Sequence, residues 1–319
     1  MTVPAVQTDA GAGSPVVKPA SAPPRRGWWS RHQRGLAPYL FISPFYLLYG
    51  AFLLVPIVVA GYLSLTEWAG FGSPVWVGLR NYQDLIGDPV FFSSVLNTVL
   101  YVLISVFVVV PTSLLIATAL NMRGLKGRDL FRLVYFTPVV LSPIVVTLVF
   151  SLFFDRDFGV LNAILRSTLG VGGIDWLGDP WWARAVVGFL IIWRWTGYLT
   201  IFFLAGLQNI PREFYEAAQV DGAGAFRQFW NVTLPLLRPV TAFVAVTVMV
   251  GSAQIFDEPY LLTRGGPGDA TRSVAMFIYQ AAFMRQQLGY AAAAGVLLFA
   301  AVFVIGRLAN GLLGIGRDQ

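Results

Sequence analysis

The sequence predicts an all-α integral membrane protein with six transmembrane helices, and composition and apolar patterning support this. Apolar residues make up 56% of the 319-residue chain and charged residues 12%, whereas a soluble domain carries about 25% charged residues. In lipid every backbone N–H and C=O must be satisfied within its own segment, so long apolar stretches form helices of about 20 residues. Six such stretches lie at about residues 36–65, 93–121, 131–154, 183–207, 240–256 and 288–312.

Residues 1–35 are predicted to form a disordered basic tail. The tail is rich in Ala, Pro, Val, Ser and Gly and shows no helical period, which is typical of disorder. The apolar stretch from residue 36 is long enough to span a membrane and lacks the small-residue cleavage site of a signal peptide. We therefore expect a retained first helix, with residues 36–319 forming the membrane domain.

Prolines interrupt several predicted helices. In a helix interior, proline removes a backbone donor and kinks the helix, and membrane helices tolerate this because neighbours satisfy the freed carbonyls. Packing and gating are both open as roles for these kinks. The residues concerned are Pro44, Pro56, Pro111, Pro138 and Pro143.

Charged residues predict the orientation of the helices. The tail and the loops after the second and fourth helices hold Lys18, Arg25, Arg26, Arg31, Arg34, Arg123, Lys126, Arg128, Arg132, Arg212, Arg227 and Arg238. The other loops are richer in acid, with Glu67, Asp84, Asp88, Asp155, Asp157, Asp175, Asp179, Asp257, Glu258 and Asp269. By the positive-inside rule the basic regions are cytoplasmic, so both termini are expected in the cytoplasm.

Several kinds of chemistry lack the residues they need. The chain has no Cys and a single His, His32, so a Cys/His metal site and a His-based catalytic triad are excluded. It has no Gly-x-x-x-x-Gly-Lys-Ser/Thr phosphate loop and no nucleic-acid motif, and its net charge of +6 fits cytoplasmic loops near anionic headgroups. We expect a protein that is not an enzyme and needs no cofactor, although a membrane-embedded enzyme stays a weaker alternative.

The cytoplasmic segment at about residues 209–238, here called the coupling segment, is predicted to form two short helices. Pro211 suits the first turn of a helix, and the acidic Glu213 and Glu216 follow close to that N-terminus, where negative charge is favoured by the helix dipole. Phe214, Ala217 and Ala218 share one face by their spacing. Gly222 then provides a sharp, left-handed turn.

The second of these helices is expected over about residues 223–232, ending before Pro235. Its Phe226, Phe229 and Trp230 again lie on one face. Such an amphipathic elbow suits the bilayer surface and a protein partner equally well. The residue pattern alone leaves these two roles open.

The motif in this segment resembles the EAA loop of bacterial ABC-importer permeases. The pattern is Glu-Ala-Ala, three residues, Gly, nine residues, an aliphatic residue, any residue, then Leu-Pro, and it is matched by Glu216, Ala217, Ala218, Gly222, Val232, Leu234 and Pro235. The resemblance implies that Glu216, Ala217, Ala218 and Gly222 contact an ATPase subunit. It also implies that Leu234 and Pro235 fix the following helix.

Further segments are similar to carbohydrate-uptake permeases, at residues 155–165, 175–180 and 262–268. Ser43-Pro44 and the Gly-Gly-Pro loop resemble the first permease subunit of the maltose and glycerol-3-phosphate type, although this chain lacks a large extra external domain. The resemblance implies a second permease subunit, two ATPase subunits, an extracytoplasmic solute-binding protein and the bacterial inner membrane. The expected cargo is a sugar, such as a di- or oligosaccharide, and a glycerol-phosphate importer is the near alternative.

A pathway for a sugar needs aromatic faces and hydrogen-bonding groups. The candidates are Arg194, Trp193, Trp195, Tyr198, Asn97, Gln254, Asp257, Glu258 and Tyr260. Polar groups inside a membrane are costly and face a cavity or another polar group. Arg194 can therefore either contact the cargo or form a structural ion pair with a carboxylate, and the tryptophans can equally pack or lie at the interface.

Two further alternatives stay open. The loop at residues 263–269, with Gly265, Gly266, Pro267 and Gly268, is a strong turn signal that either contacts the binding protein or caps the pore. A secondary transporter driven by an ion gradient predicts membrane carboxylates and often an inverted repeat. No Asp or Glu lies well inside a predicted helix and no internal repeat is evident, which disfavours this class.

Overall fold

The computed structural model describes residues 28–122 and 127–312 of the chain. Within these ranges the chain is helical apart from loops and one two-stranded ribbon. It divides into two units, Met1–Pro56 and Ile57–Gln319. The second unit contains the hydrophobic core.

The described part of the first unit consists of helix α1, Trp28–Tyr49, a π-helical turn at Gly50–Leu54 and the start of α2, Val55–Leu63. Its large apolar side chains are exposed, as at Phe41. An exposed apolar helix suits lipid or another membrane chain. Because α1 begins at Trp28, residues 28–35 of the predicted disordered tail are helical, while residues 1–27 lie outside the described residues.

The other elements follow in chain order. They are β1 (Thr66–Glu67), β2 (Val75–Trp76), α3 (Arg80–Gly87), α4 (Pro89–Ile104), α5 (Val110–Asn121), α6 (Arg128–Val140), α7 (Pro143–Phe153), α8 (Val160–Leu169), α9 (Pro180–Gln208), α10 (Arg212–Val220), α11 (Ala225–Gln228), α12 (Leu234–Leu236), α13 (Arg238–Ala253), α14 (Asp257–Thr263), α15 (Val274–Tyr279) and α16 (Leu288–Leu312). The strands β1 and β2 pair antiparallel. Further π-helical turns lie at Ser105–Val109, Phe229–Thr233 and Gln280–Met284.

The same sequence signal starts two of the long helices. Asp88 precedes Pro89 at the start of α4, and Asp179 precedes Pro180 at the start of α9. In each case the aspartate Oδ1 accepts hydrogen bonds from the two N–H groups that follow the proline. Such a cap satisfies donors that the helix cannot, and proline at the first helical position has the required φ.

Four helices are long and apolar enough to cross a membrane, and two bent helix pairs raise the number of candidate spans to six. The four are Pro38–Leu63, Pro89–Asn121, Pro180–Gln208 and Leu288–Ala309. The bent pairs are Leu133–Val140 with Pro143–Phe153 and Ala225–Leu236 with Arg238–Ala253. The described chain is therefore mostly helical, with four to six candidate spans.

The third predicted helix, residues 131–154, is not continuous. It consists of α6 and α7, whose axes differ by 108°. Ser142, which lies between them, has φ −57° and ψ 132°. Proline disfavours the α conformation at the residue before it, so Pro143 ends one helix and begins the next.

Prolines follow three of the π-helical turns. The turns at Gly50–Leu54, Ser105–Val109 and Phe229–Thr233 each end two residues before a proline, namely Pro56, Pro111 and Pro235. The wider i→i+5 turn relieves the clash between a proline ring and the carbonyl of the preceding turn. The expectation that Pro235 ends the second coupling helix is therefore wrong, because helical structure continues to Leu236.

Helix α9 lies at the centre of the second unit, where it contacts α4, α5, α6, α13 and α14. Thirteen of its residues are buried. Gly197 allows a close approach of α6, because a methyl group at this position would overlap the carbonyl oxygen of Tyr135. Small residues permit such close contact between membrane helices.

Candidate functional site

The first half of the coupling segment is helix α10, which begins after Pro211 and carries Glu213 in its first turn. The helix ends at Val220, and Gly222, two residues further on, has a φ of +75°, the left-handed conformation expected from the sequence. The N–H of Gly222 donates to Gln219 O and that of Ala223 donates to Ala218 O at 2.8 Å. These bonds satisfy carbonyls at the helix end in the manner of a glycine C-cap.

Side-chain hydrogen bonds hold the two halves of the coupling segment together. Tyr215 in α10 and Thr233 in the π-helical turn have their hydroxyl oxygens 3.0 Å apart. Gln228 Nε2 donates to Ala223 O at 2.7 Å. Thr233 is buried, so the contact lies at the base of the elbow. These bonds fix the angle between α10 and the helical run that begins at Ala225.

The outer surface of the coupling segment carries large apolar side chains among charged ones. Large apolar side chains are exposed at Phe214, Val220, Phe226 and Trp230. Among the residues of the EAA motif, Glu216, Ala217 and Gly222 are also exposed, whereas Ala218, Leu234 and Pro235 are half-buried. Exposed apolar patches of this kind mark contact with a protein or a membrane.

Among the pathway candidates, the structure joins Arg194, Trp195 and Glu258. The Arg194 Nη1 and Glu258 Oε1 atoms are 3.2 Å apart, and the two side chains are only 16% and 5% exposed. Trp195 Nε1 donates to the same carboxylate oxygen at 3.3 Å. The pair connects α9 to α14. This geometry fits a structural ion pair for Arg194 rather than contact with a cargo.

Asn97 lies in α4, and its side-chain amide donates hydrogen bonds to backbone carbonyls. Its Nδ2 donates to Asp269 O and Arg272 O, each at 3.0 Å. Its Oδ1 accepts from Arg184 Nε at 3.2 Å. With both N–H donors used and the residue buried, Asn97 holds the loop before α15 rather than facing an open space.

The aromatic candidates fall into three separate groups. Trp193 packs against Phe150 with ring centroids 5.1 Å apart and lines an apolar groove of about 610 Å³. Tyr198 lies 5.9 Å from Trp195, and Tyr260 stacks on Phe256 at 4.8 Å. These ring contacts do not by themselves assemble the aromatic faces expected for a sugar.

The remaining candidates are Gln254 and Asp257, at the junction between α13 and α14. Both side chains are exposed. Neither makes a side-chain hydrogen bond or ion pair with the described residues. They are the polar candidates that stay free for a ligand.

Two functional candidates emerge only from the structure. Arg184 Nε donates to Ala270 O at 2.9 Å, and the hydroxyl of the fully buried Tyr101 donates to Thr271 O at 2.9 Å. An arginine within an apolar helix is itself a sequence signal that could have indicated Arg184. No sequence signal distinguishes Tyr101 from other aromatic residues.

In the loop between α14 and α15, burial and an ion pair act in opposite directions on the charge of Arg272. The Arg272 and Asp269 side chains form an ion pair at 2.7 Å. Burial lowers the pKa of the Arg272 guanidinium, and the Asp269 carboxylate opposes that shift. Asp269 therefore stabilises the charged form of Arg272.

A model of the family described as "binding-protein-dependent transport system inner membrane component" matches residues 85–314. The chain belongs to this family. The arabinooligosaccharides transport system permease protein AraP of Bacillus subtilis (strain 168) is 34% identical over 302 residues, 94% of this chain and 96% of that relative. The lactose transport system permease protein LacF of Rhizobium radiobacter is 37% identical over 273 residues, 84% and 90% of the two chains.

A solved structure has the same fold as this permease family member. It is the crystal structure of a bacterial alginate ABC transporter in complex with an alginate pentasaccharide-bound periplasmic protein, with a TM-score of 0.78 and 24% identity. The match covers 89% of this chain and 96% of that chain. The family match and the sugar-transport relatives confirm the resemblance to ABC-importer permeases of the carbohydrate-uptake type, and such a component is a transport subunit rather than an enzyme.

Proposed function

We propose that the chain is the first permease subunit of a binding-protein-dependent ABC importer that moves a di- or oligosaccharide into the bacterial cytoplasm. The observation that carries the proposal is the coupling segment, whose EAA residues and exposed apolar side chains form a hydrogen-bonded elbow. Sugar-transport permeases such as AraP and LacF are relatives over most of the chain.

The proposed topology has six spans in the inner membrane and both termini in the cytoplasm. It treats each bent helix pair as one span. The basic residues of the tail and of the loops after the second and fourth spans lie on the cytoplasmic side by the positive-inside rule. The coupling segment then faces the cytoplasm, where an ATPase subunit is accessible.

The proposed partners are a second homologous permease subunit, two ATPase subunits and an extracytoplasmic solute-binding protein. Glu216, Ala217, Ala218 and Gly222 contact the ATPase, and Leu234 and Pro235 fix the helix that follows. In the proposed cycle the loaded binding protein docks and ATP closes the ATPase subunits. The coupling segments then swing, the pathway opens outward to receive the sugar, and hydrolysis resets the transporter.

A sugar is the preferred cargo because the two arginines of α9 are already occupied. Arg194 is paired with Glu258, and Arg184 binds Asn97 and Ala270. An anionic cargo such as glycerol phosphate needs free cationic groups, which disfavours that alternative. Gln254 and Asp257, with the aromatic faces of Tyr198 and Tyr260, are the groups we propose for sugar contact.

The test is affinity capture of the tagged chain from gently solubilised native membranes, followed by mass spectrometry and an ATPase assay of the eluate. We expect a P-loop ATPase and a second permease with an EAA motif to be recovered. Recovery of the chain alone in a transport-active form would instead favour the gradient-driven transporter.

A further inference from the structure

The loop between α14 and α15 contains non-helical backbone that is buried. Ala270 is 3% exposed, and Thr271 and Ser273 are fully buried. Non-helical backbone inside a membrane protein is tolerated only where other groups satisfy its N–H and C=O groups. The residues that supply these hydrogen bonds therefore show which helices hold the loop.

Four consecutive carbonyls of this loop, from Asp269 to Arg272, accept hydrogen bonds from side chains of α4 and α9. Asn97 donates to the first and the fourth, Arg184 to the second and Tyr101 to the third. We call Asn97, Tyr101 and Arg184 the loop cradle. Thr98 in α4 adds a fifth bond by accepting from the N–H of Val274 at 2.9 Å.

The loop has an outer turn, residues 264–268, that is braced against the cradle-bound part. Thr271 N–H donates to Gly265 O at 3.2 Å, and Thr271 Oγ1 donates to Gly266 O at 3.0 Å. At its outer edge Arg264 and Gly268 are exposed. Arg264 has no ion-pair partner among the described residues, so the braced turn presents an unpaired cation.

Helix α9 connects the cradle to the coupling segment. Arg184 lies in the second turn of α9, and α10 begins at Arg212, shortly after α9 ends at Gln208. A straight helix of this length extends about 43 Å at 1.5 Å per residue. One rigid element therefore joins the loop at one end to the elbow at the other.

We propose that the turn at residues 264–268 docks against an acidic surface of the extracytoplasmic binding protein, with Asn97, Tyr101 and Arg184 as positioning residues. Arg264 makes the charged contact, and the cradle passes the docking force into α4 and α9. The inference rests on the proposed function, because it requires the binding protein and an outward-facing loop. The loop is then a fixed contact that moves with these helices, rather than a free cap on the pore.

The docking contact is tested by Arg264→Glu in the full transporter reconstituted in nanodiscs, by titrating the binding protein and recording ATPase activity. We expect the concentration for half-maximal stimulation to rise about tenfold, since like charges oppose docking, and to become less sensitive to salt. The matched control is Arg285→Glu, an exposed arginine outside the turn, which keeps the wild-type value. Equal values for the two variants would overturn the contact.

The cradle is tested by Tyr101→Phe, which removes a single hydrogen bond from the buried Thr271 carbonyl. We expect the ratio of stimulated to unstimulated ATPase activity to fall about threefold or more in correctly assembled complexes, because unsatisfied buried carbonyls loosen the loop. The matched control, Tyr82→Phe, removes a 2.7 Å bond to Ser64 away from the cradle and keeps the wild-type ratio.

The proposed function and the proposed loop contact can be overturned separately. Wild-type complexes that contain no ATPase, or that no binding protein stimulates, would overturn both the proposed function and the loop contact. Wild-type complexes that are stimulated normally, with Arg264→Glu and Tyr101→Phe matching their controls, would overturn only the role of the loop.

Discussion

At the scale of single residues, the half-buried arginines of α9 are held by specific partners. Arg194 shares the Glu258 carboxylate with Trp195, whereas Arg184 binds a carbonyl and an amide oxygen. A buried charge without a partner is costly. These arginines therefore fasten α9 to α14 and to the loop that follows it.

Breaking the Arg194–Glu258 pair is predicted to destabilise the protein. Either Arg194→Met or Glu258→Gln leaves one buried charge or polar group without its partner, and we expect a loss of about 3–5 kcal/mol. The measurement is thermal unfolding of the detergent-solubilised chain. The double variant should recover much of the loss, and additive losses would show that the two side chains do not depend on each other.

A second prediction concerns Gly222. Its φ of +75° is strained for a β-branched side chain, so Gly222→Val should leave the chain inserted but abolish uptake and uncouple ATP hydrolysis. Glu216→Lys should have the same effect, since it reverses the charge of an exposed motif residue and the motif contact is lost. Uptake by reconstituted vesicles and ATPase activity are the measurements.

The control for the coupling prediction is Gly224→Ala. Gly224 has φ −68° and open space around an added methyl group, so alanine fits there without strain. Normal uptake by a correctly inserted Gly222→Val variant would contradict the coupling role.

At the scale of elements, prolines and glycines set how the helices bend and pack. Pro143 breaks the third predicted helix into α6 and α7, and this break brings α6 across α9 at Gly197. Pro111 instead follows a π-helical turn and leaves the helix continuous to Asn121, whereas the helix that contains Pro235 ends at Leu236 and the next one is bent away by 68°. Local context decides which of these outcomes a proline produces.

The contact at Gly197 gives a prediction for this packing. Gly197→Ala places a methyl group on the backbone of Tyr135, so α6 must shift, and we expect a loss of about 1–3 kcal/mol from overpacking. Gly251→Ala in α13 is the control, because nothing lies within 4 Å of a methyl group there. Thermal unfolding should separate the two variants, and equal stability would contradict the close approach.

At the scale of the whole molecule, the proposed orientation makes a prediction that the absence of cysteine makes simple to test. We expect single cysteines at Asp84, Asp157 and Gly268 to react with a membrane-impermeant maleimide added outside right-side-out vesicles. Cysteines at Val220 and Gly224 should react only after permeabilisation. The reverse pattern would invert the topology and remove the coupling segment from the cytoplasmic side.

The sequence by itself determined the membrane class, the position of most helices and the family. The apolar composition indicates that the chain lies in a membrane. The limits of α16 agree with the predicted stretch 288–312, because an apolar segment in lipid must satisfy its backbone hydrogen bonds by forming a helix. The coupling segment was equally recognisable, since its spacing and the left-handed Gly222 are local properties.

Only the tertiary structure decided the partners of the polar residues. Asn97 is a pathway candidate by sequence, but its side chain binds loop carbonyls. The sequence likewise does not show that Glu258 pairs with Arg194. These contacts join residues that are far apart in sequence. The physical reason is that a buried polar group must be paired, while which group pairs with it depends on how the helices bend and cross.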